Sequence, residues 1–247
     1  MIGEDTTYYG TDLYGRRRLC DLLRKLDGLA GVRWIRLMYA YPTCFDGAAV
    51  DAIAECDNIA KYVDIPFQHT ATGVLKRMGR KETRVDIFRI VEHLRTRVPE
   101  IALRSTFIAG FPGETEAQHE ALLADLADLR LDRVGCFPYS TEGNPAANRL
   151  DGGVDETERL RRRNAVMETQ QKISWGKNRA RIGSSCEVVV DGPKLEAEGV
   201  WTCRSWAEAP EIDGHIEVRA KRLTTGERLR VKITHAGPYD LAAVKAD

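Results

Sequence analysis

The residues best suited to chemistry in this chain sit just after four apolar runs. WIRLMYA runs into Tyr39, Tyr41 and Pro42, and YVDIPF runs into Gln68, His69 and Thr70. IALRSTFIAG carries Arg104 and Thr106 and ends in GFPGET (110–115), and RVGCFPY ends in Tyr139, Ser140, Thr141 and Glu142. Parallel α/β proteins bind ligands outside the carboxyl ends of their strands. Four successive ends bearing polar, aromatic and glycine residues therefore predict one shared pocket. Arg104 lies in a run apolar enough to be buried, so its guanidinium needs a partner. That partner is either an acid such as Asp64 or the carboxylate of a ligand, where a charge-assisted bond is worth roughly 1.5–3 kcal/mol. GFPGET reads equally as a plain turn with Thr115 as N-cap and as a glycine loop that lets backbone N–H groups meet a ligand. His69 has no second metal ligand near it in sequence, which favours a hydrogen-bonding pocket residue over a base or a metal site. Arg159, Arg161, Arg162 and Arg163 spread around a helix and are expected to form a solvated face.

The elements that must position these residues follow from the hydrophobic pattern. Leu13, Leu19, Leu22, Leu23, Leu26 and Leu29 stripe a first helix, and residues 48–60 read as a short second one. Val85, Phe88, Val91, Leu94 and Val98 mark the next, closed by Pro99, and Leu122, Leu123, Leu126 and Leu129 mark the one after GFPGET. The four strands are predicted at 34–40, 62–67, 101–110 and 133–139. Helices alternating with strands argue for parallel βαβ units, and four strands are too few for a closed eight-stranded barrel. After Pro145, residues 155–178 read as one long helix without Gly or Pro until Gly176. CEVVV, HIEVRA and RLRVKIT, broken by DGP, EIDG and TTGE, then predict a small antiparallel barrel.

Bulk properties narrow the function classes. The 247 residues hold 37 Lys plus Arg against 37 Asp plus Glu, so no bulk positive field advertises a nucleic-acid partner. No apolar run approaches membrane-spanning length, and the expected location is the cytoplasm, with no membrane partner. The six cysteines (20, 44, 56, 136, 186 and 203) are never closer than a dozen residues, so no metal-binding pair is expected among them.

The segments EDTTYYGTDLYG, WIRLMYAYP, YVDIPFQHT, VLKRMGR, RSTFIAGFPGET, FPYSTEG and QQKIS resemble the radical S-adenosylmethionine methylthiotransferases. APEIDGHIEV and PYDLAAV resemble the TRAM domain that ends them. The resemblance runs nearly end to end and in order. His69 and Thr70 after Gln68, and Thr141 and Glu142 after Ser140, favour the branch that modifies an aspartate of ribosomal small-subunit protein S-twelve (the RimO type) over the tRNA-modifying branch. From Arg181 onward ten Lys/Arg face eleven Asp/Glu, which fits a protein partner better than RNA phosphates.

The resemblance implies a partial, incomplete radical-SAM barrel of parallel βα units over 1–150, a connecting helix over 151–178 and a TRAM-like β-barrel over 179–247. It implies S-adenosylmethionine held by Gln68, His69, Arg104, Thr106, Gly110, Gly113 and Glu114, with Phe137, Tyr139 and Ser140 on the adenine side. In the family a reduced [4Fe–4S] cluster cleaves S-adenosylmethionine to a deoxyadenosyl radical and a second cluster helps deliver sulfur. The family's Cys-x3-Cys-x2-Cys loop is absent from this sequence, so neither cluster is expected to bind here and the chain alone is expected to be inactive. Glu4 also departs from the Gln usual before Asp-Thr-Thr. Met1 is expected to be an internal methionine at the tail of a barrel strand, the full-length protein a monomer, and this chain alone aggregation-prone. Alternative readings are a cluster-less module that binds the ribosomal protein, a tRNA methylthiotransferase, and an unrelated α/β enzyme using the same pocket without iron.

Overall fold

Capping residues and apolar spacing set most helix boundaries in the computed structural model, which describes residues 1–142, 147–195 and 197–246. One helical turn, α1 (Thr11–Tyr14), precedes α2 (Leu19–Asp27), which buries Leu19 and Leu23 one turn apart. After β1 (Ile35–Leu37), α3 (Gly47–Glu55) starts at Asp46, whose carboxylate accepts the Ala49 N–H at 2.9 Å. Then come β2 (Ile59–Asp64), α4 (Thr72–Arg77) and α5 (Arg84–Arg97), the last opened by a reciprocal capping box between Thr83 and Asp86. β3 (Ala102–Ala109) leads to α6 (Glu116–Leu129), where Thr115 and Gln118 form a second box, as expected for Thr115. β4 (Arg133–Pro138) completes the series.

These strands form one parallel sheet in the order β1-β2-β3-β4. Leu103, Ser105, Phe107 and Ala109 of β3 are buried, while Arg104, Thr106 and Ile108 alternate with them on the other face. Phe107, Tyr62, Leu122 and Leu126 have no exposed surface, and each large apolar side chain so buried contributes about 1.5–3 kcal/mol. Two strands end earlier than the apolar runs do. β1 stops before Tyr39, whose φ of 56° leaves the extended region, and β2 stops before Pro66, which has no N–H for the ladder. The opening residues lie beside β1 without regular strand geometry. Met38 N–H donates to Met1 O at 3.2 Å and Thr6 N–H to Tyr39 O at 3.1 Å.

The chain divides into Met1–Gln170 and Gln171–Asp247, a boundary inside the helix α7 (Glu156–Ala180). Pro145, where the composition changes, and Glu196 and Asp247, counted in the charge balance, lie outside the described residues. The second unit is a closed barrel of β5 (Ser185–Pro193), β6 (Val200–Arg204), β7 (Ile216–Arg219), β8 (Arg228–Ala236) and β9 (Leu241–Lys245), in the order β5-β6-β7-β9-β8. Val188, Val190, Cys203, Ile216, Val218, Val231 and Ile233 fill it from alternate positions. It differs from the wholly antiparallel barrel expected in one pair: β9 folds back on β8 and meets β7 in parallel, so the barrel is mixed. No helix is long and apolar enough among the described residues to cross a membrane.

Candidate functional site

A cavity of about 870 Å³ opens over the segments that follow β1 and β2, the first half of β3 and the end of β4. Alternation along β3 places Arg104 and Thr106 in its floor, and Phe137 of β4 and Gln68 beyond β2 join them. Gly135 pairs with Thr106 and adds no side chain there. Gln68 is pinned in the left-handed region, φ 68°, by two bonds to β3: its N–H donates to Thr106 O and its carbonyl accepts from Ile108 N–H, both at 2.8 Å. Tyr39, also left-handed, turns into the same cavity. Strained backbone held by surrounding bonds is a feature of ligand-facing positions, and neither residue carries a local signal for it.

Arg104 takes Asp64, one of its two expected partners. Its Nη1 donates to Asp64 Oδ1 at 2.8 Å, with Asp64 fully buried, and its side chain still lines the cavity at 14% exposure. Asp64 Oδ2 also accepts the Tyr39 N–H at 3.3 Å. Arg80 is a second guanidinium in the cavity, which sequence reasoning did not single out. It stacks 4.9 Å from the Tyr41 ring centroid and pairs with the buried Glu82. Glu4, Asp5 and Tyr8 of the opening loop form another wall. Asp5 is occupied locally, accepting from the Thr7 N–H and hydroxyl.

The remaining expected residues are not among those lining this cavity. His69 is fully buried; its Nδ1 accepts the Ala71 N–H at 2.9 Å and its Nε2 lies 3.6 Å from Glu114 Oε1. Glu114 is buried too, and its Oε2 accepts the Gly110 and Phe111 N–H groups, tying the turn after β3. Burial pushes the Glu114 carboxyl upward, but neighbouring His69, the Gly110 N–H and Arg162 outweigh it and hold the group below the usual carboxylate range. His119, Nδ1 3.7 Å from Glu114 Oε1, is held below the usual imidazole range by burial, against the pull of Glu114. Gly110 and Gly113 have φ of 74° and 84°. A Cβ would lie 2.4 Å from the Arg159 side chain at the first and 2.4 Å from the Arg77 guanidinium at the second. Tyr139 packs edge-on against Phe111, with centroids 5.1 Å apart, beneath the Arg159 guanidinium, and exposed Ser140 accepts the Glu142 N–H at 3.3 Å. These contacts favour the turn reading of GFPGET.

The arginine cluster corrects an expectation. Only Arg161 of the four is exposed; Arg162 is buried, donates to Glu114 O at 2.8 Å and pairs with Glu158 at 2.7 Å. Arg159 donates to Val154 O and Tyr139 O. Buried acceptors at the strand ends, which sequence spacing does not reveal, draw these side chains inward.

The donor set of the cavity fits S-adenosylmethionine: guanidiniums suit a carboxylate, exposed Tyr39 and Phe137 offer faces for adenine, and Gln68 and Thr106 offer hydrogen bonds. It does not fit an iron–sulfur cluster. All six cysteines are free and sit on six separate segments, and no group of three or more His, Cys, Asp or Glu among the described residues is arranged to hold a metal. Cys136 and Cys203 are moreover buried, which pushes each thiol up to about 12.

Comparison with known proteins gives the following similarities. Residues 182–245 match the TRAM domain family. The ribosomal protein uS12 methylthiotransferase RimO of Desulforamulus reducens is 44% identical over 246 residues, covering 98% of this chain and 54% of that protein. Over nearly its whole length the chain is thus similar to part of the uS12 methylthiotransferases. The RimO protein of Heliobacterium modesticaldum is 42% identical over 247 residues, 100% of this chain and 53% of its own length. The chain thus spans about half the length of the methylthiotransferases it matches. Among solved structures, coproporphyrinogen III oxidase of Escherichia coli, a radical SAM enzyme, aligns with a TM-score of 0.51 at 18% identity, over 70% of this chain and 39% of that one. That likeness concerns the fold alone: the four-stranded parallel sheet resembles part of that enzyme's fold.

Proposed function

We propose that this chain is the cofactor- and substrate-facing half of a cytoplasmic methylthiotransferase that modifies an aspartate of ribosomal protein uS12, monomeric at full length. The observation that carries this reading is the convergence of the segments after β1 and β2, the body of β3 and Phe137 of β4 on one cavity that holds Gln68, Arg104 and Thr106 together. S-adenosylmethionine, when bound, supplies the radical precursor and the methyl group. Arg104, already oriented by Asp64, would clamp its carboxylate. Gln68 and Thr106 would bond its polar groups, and Phe137 would cover its adenine. Glu114 and His69 act behind the cavity, holding the Gly110–Phe111 turn that follows the β3 floor.

Residues 1–150 would form the catalytic unit, 151–178 the connecting helix and 179–247 the unit that docks uS12. The even charge of the last segment supports a protein partner over RNA. No step is assigned to an iron–sulfur cluster in this chain, because its thiols do not converge. That same observation supports a second reading, a module that binds uS12 and S-adenosylmethionine without turnover. Titration calorimetry and capture on immobilised uS12 test both readings. Saturable binding of S-adenosylmethionine and uS12 is expected, with a shallow salt dependence for uS12. A folded chain that binds neither refutes the assignment, and a steep salt dependence with preference for tRNA would replace the partner.

A further inference from the structure

The charges lining the cavity, Glu4, Asp5, Arg80 and Arg104, are even in number but not in pairing. Each guanidinium arrives with its own acid, Arg104 with Asp64 and Arg80 with Glu82. Two further carboxylates, Glu4 and Asp5, face the same space, and neither forms an ion pair with the described residues. Asp5 is engaged by Thr7, whereas exposed Glu4 accepts no hydrogen bond from them. An independent feature points the same way. Tyr8, Tyr39 and Phe137 are 56%, 43% and 61% exposed, so three aromatic side chains line this one cavity in the open. Aromatic faces attract cations, including onium groups that cannot donate hydrogen bonds. Carboxylates that form no ion pair with the described residues, set among aromatic walls, favour a ligand with a positive centre that needs no acceptor geometry.

We propose that this cavity selects a sulfonium over the corresponding neutral thioether, and that Glu4 sets the selection. The inference deepens the S-adenosylmethionine reading and rests on it. S-adenosylmethionine and S-adenosylhomocysteine differ by one methyl group and one positive charge on sulfur, so the pair isolates the feature. Glu4 would act through space on the sulfonium, keeping the spent thioether from competing with fresh cofactor.

The test is titration calorimetry of the full chain with each compound, comparing wild type, Glu4→Gln and Glu4→Asp, with circular dichroism to confirm folding. Wild type is expected to prefer the sulfonium. Glu4→Gln should weaken it about three- to fivefold, the scale of one exposed charge pair, and leave the thioether within twofold. Glu4→Asp should keep most of the preference, since it keeps the charge. Equal losses for both compounds, or an unchanged ratio in Glu4→Gln, overturn the role of Glu4 while leaving the cofactor reading intact. A folded wild type that binds neither compound overturns both.

Discussion

Arg104 and Asp64 offer the sharpest test, because one pair is expected to bear on both stability and binding. Nη1 and Oδ1 are 2.8 Å apart, Asp64 is fully buried and the Arg104 side chain is 14% exposed. At that distance and an effective dielectric of about 20, the Coulomb attraction is about 6 kcal/mol, most of which desolvation of the two ions takes back. Removing one partner therefore costs more than removing both. Arg104→Gln strands a buried carboxylate whose one other hydrogen-bond donor among the described residues is the Tyr39 N–H at 3.3 Å, and should lose about 3–5 kcal/mol. Asp64→Asn should lose a similar amount. The double variant Asp64→Asn/Arg104→Gln should lose no more than either single, a coupling of about 3 kcal/mol, read by urea unfolding followed by circular dichroism. That double variant then isolates the ligand clamp: its affinity for S-adenosylmethionine should fall roughly tenfold or more, the worth of one charge-assisted bond. Additive stability losses, or an undiminished affinity in the folded double variant, would refute this account of Arg104.

Three further outcomes are expected. His119 is held neutral by burial, so as pH falls below the unfolded imidazole value of about 6.5 the unfolded chain takes up the proton first and stability declines; Glu114, held low, adds a loss of the same sign below about pH 4.5. Denaturant midpoints measured from pH 7.5 to 4 should fall, and His119→Phe should flatten the upper part of that slope; an unchanged slope counts against it. Gly214→Ala would place a Cβ 2.2 Å from the Tyr239 carbonyl oxygen, where β7 and β9 begin to pair, and should destabilise the barrel by roughly 2 kcal/mol or more in thermal unfolding. Gly113→Ala should displace the Arg77 guanidinium from Pro112 O, bonded at 2.9 Å, and combine that with the strain of φ 84°; a melting temperature within a degree of wild type would show the turn to be tolerant.

Sequence by itself determined the order and kind of the elements, because the signals are local. Leu19 and Leu23 fall one turn apart, Thr115 stands three residues before Gln118, and each β-run of the last unit alternates between turn residues. It also placed Gln68 just beyond one strand and Arg104 and Thr106 on the next, which adjacent parallel strands bring near one another. What only the tertiary structure decided depends on register and on groups far apart in the chain. The pairing of Asp64 with Arg104 across β2 and β3 made their ion pair one of neighbours, where the sequence left acid and ligand as alternatives. The left-handed backbone at Gln68 points its side chain into the cavity while adjacent His69 turns into the core toward Glu114 and His119. Arg80 reached the cavity from beyond α4, and Arg162 left the solvated face of its helix for Glu114. Parallel pairing of β7 with β9 likewise arose from where the last hairpin landed. Periodicity assigns a residue to a face of its own element, and only packing decides what that face meets.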